Sequence, residues 1–177
     1  MLKTLRHLRS ERSGMAAVEF ALVLPILLAL VFGGIEVTSA LICKYDVSNM
    51  ASSSADLVAQ ESKIGDADMN NIFSAISALI YPFPSGTAQV IITSVIDDGH
   101  GGGKVAWSDA SNATPHTVGS AITVPSGLIT TGGSVILTEV TYPYQTPTHY
   151  LINLSVNMQN VFYSHPRRVA QITRTHP

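Results

Sequence analysis

Gly14-Met-Ala-Ala-Val-Glu19-Phe20-Ala-Leu-Val-Leu-Pro25-Ile-Leu-Leu-Ala-Leu-Val-Phe-Gly33-Gly34-Ile35-Glu36-Val-Thr-Ser-Ala-Leu41-Ile42 decides the fold. Phe20 to Ile35 holds no charged residue, and Glu19 and Glu36 bracket it. Seventeen helical steps separate the two glutamates, about 25 Å at the rise of an α-helix. A bilayer core is about 30 Å thick. One helix then sets both carboxylates near the two interfaces and away from the costly midplane.

The flanks predict the orientation. Lys3, Arg6, Arg9 and Arg12 precede the run, against the single acid Glu11. Beyond Glu36, Lys44 and Lys63 are interleaved with Asp46, Asp56 and Glu61. Basic flanks stay cytoplasmic, so everything after about Leu41 is expected outside. Three arrangements satisfy these features: a plain single-span anchor, a secretory signal cut near Thr38-Ser39-Ala40, and a signal cut on the cytoplasmic side of the apolar run.

The residues favour the third. A short basic leader ends in Gly14, four small or apolar residues follow, and then Glu19-Phe20 opens the run. Gly, four residues, Glu-Phe resembles the processing signal of Flp-type (Tad) type IV pilins and pseudopilins, in which a membrane aspartic prepilin peptidase cuts after the glycine. Gly14 through Pro25, Phe32-Gly-Gly-Ile-Glu36 and the polar helix Val37 to Gln60 are similar to the opening of TadE-like proteins. Val140-Thr-Tyr-Pro-Tyr144 and Pro166-Arg-Arg also resemble that family.

The resemblance implies a minor pilin or pseudopilin, not an enzyme, assembling with the major pilin and other Tad pilus subunits for surface adhesion. It implies that Gly14, Met15, Glu19 and Phe20 form the processing signal. It further implies that Glu19 pairs with the Met15 amine of a neighbouring subunit, and that Pro25 loosens the helix as in pilin stems. Pro25 also reads as a plain kink. Glu36 marks the outer interface and is the third assembly candidate, and Gly33-Gly34 permits close helix packing. The organisation expected is a prepilin-type leader over 1–14, a transmembrane helix over 15–41 and a periplasmic domain over 42–177. The protein is then single-pass in the inner membrane, its N-terminus cytoplasmic. The rivals are an anchored binding domain unrelated to pili and a secreted soluble domain.

Charge separates at Gly14. The leader holds four of the ten bases and one of the twelve acids, leaving a net charge of −5 in the remainder. No basic stripe is left to neutralise phosphates, which argues against nucleic acid. Cys43 is the only cysteine, so no internal disulfide is possible even in an oxidising compartment.

Leu41, Tyr45, Ser48, Ala51, Ala55 and Val58 recur at helical spacing, predicting one long helix over 15–62 that Gly65 terminates. Asp66 or Asp68 caps a second helix over 69–80, which Tyr81-Pro-Phe-Pro84 stops. β-Branched Ala88–Ile96, the glycine-rich turn Asp97–Gly103 and Lys104–Trp107 read as a hairpin. Ser134–Tyr142 and Leu151–Phe162 read as further strands, Asp109–Thr123 as loop and Pro166–Pro177 as a tail. A helix packed on a small antiparallel sheet of three or four strands is the simplest burial solution, and this α+β layout also resembles pilins.

No cofactor or metal site is expected. His100-Gly-Gly-Gly103 lacks the Gly-x-Ser-x-Gly partner of an esterase oxyanion loop. His100, His116, His149, His165 and His176 have no metal-ligand spacing. Asp97-Asp98 lacks alternating calcium ligands.

Overall fold

The computed structural model describes residues 13–148 and 155–175. The leader up to Arg12, residues 149–154 (with His149 and the start of the expected last strand) and His176 lie outside the described residues. Helix α1 spans Ser13–Ala59, 47 residues with Pro25 inside it. It is followed by β1 (Lys63–Ile64), α2 (Asp66–Ser77) and two 3-10 turns, Ala78–Ile80 and Ser85–Thr87. Then come β2 (Gln89–Asp97), β3 (Gly103–Ser111), β4 (Ala121–Ile122), β5 (Ser134–Gln145), β6 (Ser155–Ser164) and β7 (Thr173–Arg174). The α+β class is as expected, and the strands exceed the three or four anticipated. Five form an antiparallel sheet in the order β4-β3-β2-β5-β6, and β1 pairs with β7 in a separate parallel ribbon.

The chain falls into two compact units, one containing α1 up to Ala40 with Thr146–Thr148, the other Leu41–Gln145 with the described residues from Ser155 onward. In the second unit, α1 buries Cys43, Val47, Met50, Ala51, Ser54, Ala55, Val58 and Ala59. Those spacings of three and four make one helical stripe. The residues whose spacing predicts the helix all lie in it; Ala51, Ala55 and Val58 belong to the buried stripe, whereas Leu41 and Tyr45 are exposed. The helix is apolar on two faces there, and periodicity alone does not say which face the sheet covers.

Strand alternation assigns the sheet's faces. Val90, Ile92 and Ser94 of β2 share a face with Ile136, Thr138, Val140, Tyr142 and Tyr144 of β5, and all are buried. This face and the α1 stripe are each other's burial partners: Ser164 Oγ on β6 donates to Asp56 Oδ1 at 3.3 Å, and Cys43 lies close enough to Tyr142 to add to burial in raising its phenol pKa. Cys43 is itself fully enclosed. Phe83 packs edge-on against Tyr144, ring centroids 5.9 Å apart. On the other face Val95, Val135 and Leu137 form a second cluster, covered by Ile122, Val124, Ile129 and Tyr163.

Gly65 does not end α1. It is the N-cap of α2, and its N–H donates to Asp68 Oδ2 at 3.0 Å. The residues expected to be a tail instead fold back onto the domain. Ile172 is buried, its carbonyl accepts the indole N–H of Trp107 at 2.8 Å, and Arg167 N–H reaches the Ala59 carbonyl at the end of α1 at 2.8 Å.

The β2–β3 turn is the hairpin connection the sequence predicts. Gly99 and Gly101 sit at φ +80° and +83°, a region open to glycine and strained for other residues. Asp98 Oδ1 accepts the N–H groups of His100 at 2.7 Å and Gly102 at 2.9 Å. These two bonds favour the charged carboxylate and lower its pKa. A depressed carboxylate stabilises the fold above its unfolded value of about 3.9 and loses that contribution as pH falls through the folded value. Asp98→Asn keeps an acceptor oxygen and removes the charge. Its urea midpoint is expected to fall less between pH 5 and pH 2.5 than that of the parent protein. Equal acid slopes would show that the turn carries no linked proton.

Candidate processing and assembly segment

Gly14, Met15, Glu19, Phe20 and Pro25 all lie on the first half of α1, and all are exposed. The apolar segment to which they belong is long enough to cross a membrane, and the window that passes this test buries none of its residues within the protein. Leu22, Ile26, Leu30 and Val31 are among its exposed side chains. In water such a surface is costly, whereas in hydrocarbon it is the expected lining.

Met15 and Glu19 are one helical turn apart, so they share a face. Glu19 has no hydrogen-bond or ion-pair partner among the described residues. A partner for its carboxylate must come from beyond the described residues. Pro25 leaves the Ala21 carbonyl without its usual donor four residues on. Among the described residues, a Cβ added at Gly14, Gly33 or Gly34 would meet nothing within 4 Å, so none of them requires glycine at these positions. The match to a known family begins at the first of them. Residues 14–56 match the TadE-like protein family. Neither a curated protein nor a solved structure matches the chain. The TadE-like segment ends within α1, before the sheet begins.

Glu36 differs from the other assembly candidates. It lies within the TadE-like segment yet is only 2% exposed. Its Oε1 accepts a hydrogen bond from Thr148 Oγ1, on the turn that follows β5. The structure therefore separates Glu36 from the processing residues in environment as well as in position. Thr148 was missed in the sequence, because nothing in Gln-Thr-Pro-Thr-His marks a residue that bonds a carboxylate 112 positions away.

Two further polar clusters were also missed. Arg174 is 6% exposed at its side chain. Its Nε donates to Asp109 Oδ2 at 2.8 Å and its Nη2 to Asp109 Oδ1 at 3.1 Å. Nη2 also bonds Asp66 Oδ1, and Nη1 donates to the Ile64 and Thr175 carbonyls at 3.3 and 3.0 Å. The two carboxylates, Asp109 first, raise the guanidinium pKa further. On the sheet's other face, His116 Nε2 lies 2.5 Å from Glu139 Oε2. His116 N–H also donates to Ser108 Oγ at 3.1 Å, so this loop histidine has structural partners. Among the described residues no group of three or more His, Cys, Asp or Glu is arranged to hold a metal.

Proposed function

We propose that the protein is a minor pilin or pseudopilin of a Tad (Flp) type IV pilus, made as a membrane precursor, trimmed by a prepilin peptidase after Gly14 and assembled with the major pilin through α1. Its leader is cytoplasmic, residues 15–41 hold it in the inner membrane, and the domain over 42–177 lies in the periplasm, where it serves a filament used in surface adhesion. One observation carries the reading: the TadE-like match starts at Gly14, at the head of an apolar helix whose side chains the protein leaves uncovered.

The mechanism follows from the segment's chemistry. Apolar helix packing supplies cohesion, with Gly33 and Gly34 admitting close approach and Pro25 loosening the stem. Glu19 sets register by pairing with the Met15 amine that trimming creates on a neighbouring subunit.

Intact mass of the protein extracted from membranes tests the processing step. The expected chain begins at Met15. A chain beginning near Ala40 or Leu41 would make the protein secretory, and an uncut chain would make it a plain anchor. Gly14→Val is expected to abolish trimming completely while leaving membrane insertion unchanged. The open space around Gly14 means that this loss would reflect the peptidase's subsite and not a disturbed fold. Normal trimming of Gly14→Val would remove Gly14 from the signal.

A further inference from the structure

The burial of Glu36 changes where the membrane can end. Phe20–Ile35 is 16 residues, about 24 Å of helix, and a bilayer core needs roughly 20 apolar residues. If Glu36 had to lie at the outer interface, the span would be short. Glu36, however, is enclosed and bonded to Thr148, so its carboxylate is not presented to lipid. Apart from Glu36, the uncharged run extends from Phe20 to Cys43, 24 residues, or about 36 Å.

The exposed side chains agree with the longer span. Val37, Leu41 and Ile42 are exposed apolar residues beyond Glu36. The next two exposed residues are Lys44 and Tyr45, a snorkelling cation and an aromatic ring of the kind that anchors helices at a membrane surface. From Glu36 to Lys44 is eight residues, about 12 Å along the helix. Whatever is bonded to Glu36 then sits well below the level of Lys44.

We propose that the outer membrane boundary lies at Lys44 and Tyr45, and that the turn Thr146–Thr148, bonded to α1 at Glu36, is a second membrane contact lying in the lipid interface. The turn suits that location. Thr146, Pro147 and Thr148 carry no charge, Thr146 is buried, and the Thr148 hydroxyl is already bonded. Pro147 has no N–H to satisfy and is the exposed residue of the three. The turn shields Glu36 from hydrocarbon, and Glu36 holds the turn at that depth. This inference rests on the reading of α1 as a membrane span.

The test uses the full chain in vesicles of phosphatidylcholine and phosphatidylglycerol, with a bimane label on single introduced cysteines. Cys43 is enclosed, and the unsubstituted protein serves as its blank. The reporters are Pro147→Cys, Leu41→Cys as the boundary marker, Leu30→Cys as the span marker and Ser126→Cys as the aqueous marker. Nitroxide lipids labelled near the headgroup are expected to quench Pro147 and Leu41 by roughly half and to leave Ser126 unquenched, as for groups at the acyl boundary. Iodide should show the reverse order. Quenching of Pro147 by iodide alone, with Leu30 still quenched by lipid, would overturn the second contact and leave the span standing. Protection of Pro147 from both quenchers would also overturn it, by assigning the turn to a protein interface. If lipid fails to quench Leu30, the span reading falls as well.

Discussion

Cells carrying Glu19→Gln are expected to insert and trim the protein normally and to make no pili. Glu19 is exposed and bonds nothing among the described residues, so removing its charge leaves the fold and its stability untouched. Any loss must then arise beyond the described residues. If the carboxylate pairs with a Met15 amine on a neighbouring subunit in a low-dielectric helix bundle, the substitution leaves that amine buried and unpaired. Breaking buried pairs costs about 3–5 kcal/mol, a factor of roughly 10² to a few times 10³ in an association constant. The measurement is pilus number and surface adhesion at matched abundance of trimmed protein. Normal pili would reduce Glu19 to an interfacial residue that reaches headgroup water. Loss of trimming would place it in peptidase recognition instead.

Arg174→Met is expected to lower stability by about 3 kcal/mol, the lower end of the range for a broken buried pair. The lower end applies because Asp66 keeps 44% of its side chain exposed, although Asp109 keeps only 22%. For a domain of this size the loss corresponds to roughly 10 °C in Tm. Two companions separate charge from packing. Arg174→Lys retains the charge but cannot make the two-point contact with Asp109, so it should recover only part of the loss. Adding Asp109→Asn to Arg174→Met removes the stranded acid and should also recover part. A Tm within about 2 °C of the parent for Arg174→Met, within the spread of ordinary surface substitutions, would show that water already satisfies the two acids.

How legible these features were in the sequence depended on how local their cause is. The start of α1, the glycine turn at 97–103 and strands β2, β3 and β5 are written in contiguous residues, through an uncharged run, positive-φ glycines and β-branched stretches. The TadE-like segment was legible for the same reason, since Gly14, Glu19 and Phe20 are read within seven residues. The β1–β7 ribbon was not. Two-residue strands carry no alternation, and the atoms joining Arg174 to Ile64 lie 110 positions apart. Gly65 was misread because a glycine after a helix and a glycine before one look alike until Asp68 is seen to accept its N–H. Leu41 and Tyr45 share the helical spacing of Ala51, Ala55 and Val58 yet are exposed, because a helix that is apolar on two faces has no single preferred phase. Glu36 was read from hydropathy as a boundary, and only the distant Thr148 reveals it as an enclosed group.

The ribbon that joins β1 to β7 also orders events in time. A chain made from its N-terminus presents Lys63-Ile64 long before Thr173-Arg174, its register partners. At synthesis rates of 5–20 residues per second that interval is roughly 5–20 s. Until it ends, the carbonyls of Ala59, Ser62 and Ile64 lack the N–H groups of Arg167, Thr173 and Thr175 that close on them, and Asp66 and Asp109 repel one another without the guanidinium between them. The domain therefore cannot lock piecemeal while it is made, and its final closure reports that synthesis has passed Thr175. A partner that grips only the locked form would ignore every half-made copy.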